Sequence, residues 1–147
     1  MLGFKPYKAG HLRALCPQDA QRRDYAIMVR EGHAEMLERG LSMSAWDGST
    51  CVAVAGLMPV LPHRAAAWAV LSNRAEPYML SITRKMRLMI TQAPYRRVEM
   101  TVDAEFKNGQ RLALLVGMVL DTPKPLEAYG ANGEDELMYS RVTTWGP

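Results

Sequence analysis

At 147 residues, with 48% hydrophobic and 22% charged side chains, the chain has the composition of one packed core, and a disordered chain is excluded. The net charge of +3 is scattered: the densest basic groups, Arg84-Lys85-Met86-Arg87, Tyr95-Arg96-Arg97 and Arg22-Arg23, fall short of the tract that phosphate-backbone recognition uses, so no specific nucleic acid is expected as a partner. The opening MLGFKPYKAG lacks the apolar core of a signal peptide and the longest apolar run, Cys51 to Leu61, is too short for a membrane span, so synthesis and retention in a cytoplasm, away from any membrane, is expected.

The chain begins with alternation over Gly3 to Lys8, which predicts a short strand, and Pro6 assigns it to a sheet edge. From His11 to Arg39 the period becomes helical. Leu12 and Leu15 mark a first turn, Pro17-Gln18-Asp19 a start signal, and Tyr25, Met28, Val29, Met36 and Leu37 an apolar face. Gly32 is expected to split this region into two helices and Gly40 to end the second.

Leu41, Met43 and Ala45 alternate with Ser42, Ser44 and Trp46 up to Asp47-Gly48, a strong hairpin signal, after which Cys51 to Leu57 returns. Ala65 to Leu71 is unbroken in its apolarity and reads as a central strand covered on both faces, completing an antiparallel meander. A helix follows from about Tyr78 to Gln92, with Leu80, Met86 and Ile90 inward and Ile82 and Met89 as further candidates; Pro94 closes it. Val98, Met100 and Val102 alternate with Glu99 and Thr101 as in a half-buried strand. The next helix, about Asn108 to Val116, carries Leu112, Leu115 and Val116 as its stripe and Gly117 as a left-handed cap. A strand at Met118 to Asp121, a loop rich in Pro, Gly and carboxylates, and a strand at Glu136 to Val142 finish a single domain spanning residues 1–147.

Cys16 and Cys51 fit no zinc spacing and are expected to be buried thiols; His11, His33 and His63 are scattered, so no metal is expected. Asp103 and Glu105, at a strand-to-helix junction, suit either a general base or a helix cap. Five of the 11 methionines fall between Met79 and Met118, where thioethers fill irregular core gaps or supply adaptable contact surfaces.

The order of elements, and above all the stretch from Val98 to Asp121 with its Val116-Gly117-Met118 turn, resembles the GNAT (GCN5-related N-acetyltransferase) superfamily over about the last 100 residues. The resemblance implies an α/β fold with a mixed, splayed central sheet of six or seven strands flanked by helices, the splay lying between parallel strands near Ala67 and Met100. Within the superfamily the chain looks most like tailed-phage internal virion protein A-type proteins. Members of the superfamily bind the pyrophosphate of acetyl-CoA in a glycine-bearing loop at a helix start, where backbone N–H groups close on phosphate. The matching place here, Leu71, Ser72, Asn73, Arg74, Tyr78 and Met79, has no glycine; indeed none occurs from Arg64 through Thr101. Pro77 removes a donor there and Glu76 adds negative charge. The family's general-acid tyrosine falls on Ala113, and a frequent asparagine on Phe106, with Asn108 nearby.

These departures imply no catalytic residue and no cofactor. The expected role is then that of a noncatalytic structural component of a phage virion, packing against other virion proteins in a symmetric homo-oligomeric assembly. Trp145, Tyr129, Pro123 and Pro125 are the expected interface residues, Trp145 because an indole near a chain end has a large area to bury. The alternative is an active enzyme that binds acetyl-CoA along the main chain of the central strand and passes the acetyl group to an amine. The remaining possibility is a regulatory or host-interacting binding module.

Overall fold

A computed structural model describes residues 1–144. Seven strands form one mixed sheet in the order β1-β2-β3-β4-β5-β7-β6, flanked by helices. The chain divides into two compact units, Met1–Met58 with Trp68–Ile82, and Pro59–Ala67 with the chain from Thr83 onward.

In the first unit β1 (Leu2–Pro6) pairs antiparallel with β2 (Ser42–Asp47), and β2 with β3 (Thr50–Leu61). β1 is an end strand of the sheet, so Pro6 withdraws its missing donor from an edge, as expected. The β2–β3 turn is Gly48-Ser49, with Gly48 at φ 59°, a value that glycine adopts without the Cβ penalty of other residues. Met43, Ser44 and Ala45 are all buried, so β2 is covered on both faces and the simple alternation expected for it does not hold.

The helices α1 (Ala9–Ala14), α2 (Arg22–Met28) and α3 (His33–Met36) are each too short to be stable alone and depend on packing. Their anchor is a cluster of Tyr7, Leu12, Leu15, Ala34, Leu37, Cys51, Val54 and Val70, with Tyr25, Met28 and Trp68 against it. Tyr7 ties the layers together. Its ring meets Trp68 edge-on at 5.1 Å and its hydroxyl donates to the Ala34 carbonyl at 2.9 Å; burial, with Glu38 adding to it, pushes the phenol up to about 12. Gly32, at φ 86°, breaks the helical region where the sequence predicts.

β4 (Arg64–Leu71) runs parallel to β5 (Arg97–Asp103) through Arg64↔Arg97, Ala65↔Val98 and Ala66↔Glu99, three pairs that all lie in the second unit. The ladder ends at that third pair, although β4 continues to Leu71 and β5 to Asp103. β7 (Glu136–Val142) is antiparallel to β5 over its whole length, and the two-residue β6 (Val119–Leu120) lies outside β7. α4 (Met79–Gln92) buries Ile82, Met86 and Ile90 at four-residue spacing, while Leu80, expected inward, is 65% exposed. α5 (Lys107–Leu115) buries Leu112 and Ala113, with Val116 buried just beyond its end, and Leu115, also expected inward, is 51% exposed. Gly117 takes the predicted left-handed conformation at φ 98°. Arg141 of β7 closes the end of α4 by donating to the carbonyls of Ile90 and Tyr95 at 2.5 and 2.6 Å.

Candidate functional site

The place where the sequence locates a degenerate phosphate loop lies in the first unit, where β4 runs out. Leu71 ends the strand; Ser72 is buried and its Oγ accepts from Arg74 N–H at 3.0 Å, capping a 3₁₀ turn over Asn73–Tyr78 that leads into α4. Several amides at this place are already taken by the protein itself. Ala75 N–H donates to the Ser72 carbonyl at 3.0 Å, Ser72 N–H to Val52 at 2.9 Å, and Leu71 N–H to the side chain of Gln21 at 2.9 Å. Pro77 has none to offer. Asn73, Arg74 and Glu76 are exposed, and Met79 is half-buried as the first residue of α4. Tyr78 donates to Asp47 Oδ2 at 2.7 Å, and this bond is the main reason its phenol stands above the usual range. An amide cradle for a diphosphate does not fit this geometry; a side-chain cation, Arg74, does.

A second constellation, which the sequence reading misses, lies within the second unit beside the last β4–β5 ladder pair. Glu99 is flanked by Arg97, whose Nε lies 2.5 Å from its Oε2, and by Arg64, whose Nε lies 3.6 Å from its Oε1. Arg97 reaches on to Asp121 Oδ2 at 2.7 Å, and Ser140 donates to Asp121 Oδ1 at 2.9 Å. The two carboxylates, Asp121 first, hold the Arg97 guanidinium more firmly charged, and Arg97 in turn keeps Asp121 below the usual carboxylate range. The only sequence signal is the polar alternate face of β5, Arg97, Glu99 and Thr101; the partner from β4 is set by a parallel register that no local pattern encodes.

The remaining expectations fall as follows. Asp103 accepts from Glu105 N–H at 2.8 Å and so shapes the turn before α5, although the α5 N-terminus itself has no side-chain cap. Phe106 precedes α5, Asn108 lies in it, and Ala113 is fully buried. Cys51 is buried but Cys16 is exposed, against expectation. Tyr129, Pro123 and Pro125 are exposed in a loop that is itself paired, Leu126 and Glu136 exchanging backbone bonds at 2.7 and 3.1 Å; Trp145 lies outside the described residues. A broad open depression of about 670 Å³ lined by Arg13, Val29, Glu31, Gly32 and Glu35 contains a pair already satisfied, Arg13 donating to both Glu35 oxygens. Among the described residues no group of three or more His, Cys, Asp or Glu is placed to hold a metal, and no helix is long and apolar enough to cross a membrane.

The strand order, the short parallel β4–β5 ladder and the α5–Gly117–β6–β7 finish make this a GNAT fold. The chain is similar to the GNAT-family acetyltransferase from Streptococcus pneumoniae, with TM-score 0.70 and 12% identity over 98% of this chain and 100% of that one. It is similar also to Ard1 from Thermoplasma volcanium (TM-score 0.69, 11% identity, 98% and 99% covered) and to the ribosomal-protein-S18-alanine N-acetyltransferase from Escherichia coli (0.65, 15%, 99% and 97%). No protein-family model matches the sequence, and no curated protein does. The likeness thus covers 98% of the chain rather than its last 100 residues. It also corrects the functional expectation: the matched structures from Streptococcus pneumoniae and Escherichia coli are acetyltransferases, and they favour acetyl transfer over a noncatalytic virion part. An altered loop and Ala113 had pointed away from catalysis, yet neither change removes the central strand along which the alternative reading lays the thioester.

Proposed function

We propose that the protein is an N-acetyltransferase that moves the acetyl group of acetyl-CoA to an amine. The observation that carries this reading is the likeness of nearly the entire chain to acetyltransferases at TM-scores of 0.65–0.70. The donor lies along β4, with main-chain amides of that strand polarising the thioester carbonyl as charge develops on its oxygen. Arg74, exposed just beyond the strand, meets the diphosphate as a point of positive charge in place of a glycine cradle. Ala113 has no proton to give, so the departing thiolate is protonated by water.

Thermal unfolding with and without acetyl-CoA is the test, paired with release of free CoA thiol in the presence of mixed amines. A ligand at 100 times its dissociation constant adds about 2.7 kcal/mol to stability. No stabilisation at millimolar acetyl-CoA, together with no thiol release, would end this reading.

A further inference from the structure

The cluster around Glu99 is unevenly satisfied. Arg97, Asp121 and Ser140 form a closed chain in which each polar contact lies between 2.5 and 2.9 Å, and this chain fixes one oxygen of Glu99. Arg64 stands apart from it. Its Nε is buried without a hydrogen-bond partner and approaches Glu99 Oε1 no closer than 3.6 Å, while the side chain as a whole is 37% exposed. An arginine serving only as a structural counter-ion normally closes on its carboxylate at ordinary hydrogen-bond length, often through two bonds. Here the ion pair is open, and a guanidinium with five donors faces a carboxylate oxygen that has a lone pair to spare.

We infer that Arg64 and Glu99 bind the acetyl acceptor, and that the acceptor is a free α-amino acid. Its ammonium donates to Glu99 Oε1 and its carboxylate accepts from Arg64. Because Arg64 Nε is buried, the carboxylate meets the terminal nitrogens of the part-exposed guanidinium, while the ammonium of the same zwitterion reaches Glu99 beside it. A lysine side chain on a protein or a polyamine would use Glu99 but leave the Arg64 donors unmet, and a second cation beside Arg64 and Arg97 is repelled. The site adjoins Ala66↔Glu99, the last pair of the β4–β5 ladder, and the acetyl group comes from the acetyltransferase reading. The inference rests on that reading for its donor.

The transfer balances as follows. The ammonium gives one proton through Glu99 to water, and the amine nitrogen then attacks the thioester carbonyl carbon. A C–N bond forms and the C–S bond breaks. The nitrogen's second proton ends on the CoA thiol, leaving an N-acetyl amino acid.

Thiol release is to be followed with the 20 free amino acids, with their α-carboxamides, and with a lysine peptide blocked at both ends. Amino acids are expected to turn over, and each matching amide to show a KM about 10- to 100-fold higher, the worth of a charged hydrogen bond. Arg64→Gln should raise KM for amino acids by a similar factor while leaving the amide nearly unchanged. Arg64→Lys, which keeps the charge and loses the fork, should fall between. Calorimetric titration of the amino acids in the presence of CoA gives an independent readout, with binding weakened by the same factor in Arg64→Gln protein that still melts cooperatively. Equal use of amides and amino acids, or equal effects of Arg64→Gln on both, overturns the inference. If acetyl-CoA binds but no free amino acid binds or reacts, the acceptor assignment fails and the acetyltransferase reading survives. If acetyl-CoA does not bind, it is the donor reading that fails, and amino acid binding that depends on Arg64 still decides the site.

Discussion

Gln21 grips the end of β4 from both sides of its main chain: its Oε1 accepts from Leu71 N–H at 2.9 Å and its Nε2 donates to the Ala69 carbonyl at 2.7 Å. The same Oε1 accepts from Gln18 Nε2 at 2.9 Å, and Gln18 N–H donates to the Leu71 carbonyl at 2.9 Å. A short 3₁₀ turn between α1 and α2 thereby acts as a substitute strand where β4 would otherwise present an open ladder.

Removing that grip leaves a buried donor at Leu71 without a partner. Gln21→Ala should cost about 1–3 kcal/mol, the penalty for an unsatisfied buried polar group rather than the smaller net worth of a bond. Urea unfolding should show a lower midpoint with an unchanged slope. A neutral result would mean that water reaches Leu71 N–H.

His11 makes stability depend on pH. Its Nδ1 accepts from Lys8 N–H at 3.2 Å and lies 2.9 Å from Ser44 Oγ, so the folded state needs the unprotonated nitrogen. Burial, and after it Lys5, holds the imidazole below its ordinary 6.5. Between the folded and unfolded values the unfolded chain binds more protons, so stability is whole above about 6.5 and declines as pH falls below it. Glu35 and Asp121, both held below their ordinary 4.5 and 3.8, contribute stability that is lost only at lower pH. Chemical denaturation at pH 7.5 and about 5.5 should therefore separate the wild type from His11→Asn, whose stability should be flatter across that window.

The two thiols should differ in reactivity. Burial pushes Cys51 up to about 11, and its side chain is nearly inaccessible; Cys16 is exposed. A thiol-specific chromogenic reagent at pH 8 should titrate one cysteine quickly and the second only in denaturant. Two fast thiols would mean that the core around Tyr7, Leu12 and Val54 opens readily.

Local signals carried much of the fold, and the reason is visible at particular residues. Gly117 and Gly32 need left-handed backbone, Pro6 needs an edge, and β7 spans Glu136–Val142 where the sequence places a strand. Leu80 was misread because it lies half a turn from Ile82, the start of the true Ile82–Met86–Ile90 stripe. Leu115 was misread because the buried face of α5 runs through Gly109 and Ala113, residues with little hydrophobic weight. An added Cβ at Gly109 would stand 2.6 Å from the Phe106 ring, so at that position the face has no room for a side chain of its own. The site was less legible still. Arg64 and Glu99 meet through a parallel register, and Gln21 reaches Leu71 across 50 residues; neither relation leaves a local pattern.

The donor loop supplies the last prediction. Because the amides of Leu71, Ser72, Arg74 and Ala75 are occupied, affinity for acetyl-CoA rests there on exposed charge: Arg74 favours a diphosphate and Glu76, two residues on, opposes it. Exposed charges at such range are worth roughly 0.2–1 kcal/mol each. Arg74→Ala should weaken acetyl-CoA binding about twofold to fivefold and Glu76→Gln should tighten it by a similar factor. Both effects should shrink in ~0.5 M salt, where the screening length falls to a few ångströms. Affinity is to be measured by calorimetry with acetyl-CoA and with desulfo-CoA, which shares the diphosphate but lacks the thioester, and the two ligands should respond alike. If Arg74→Ala binds both as tightly as the wild type at low salt, the diphosphate does not rest on this loop, and the exit of β4 is not the donor site.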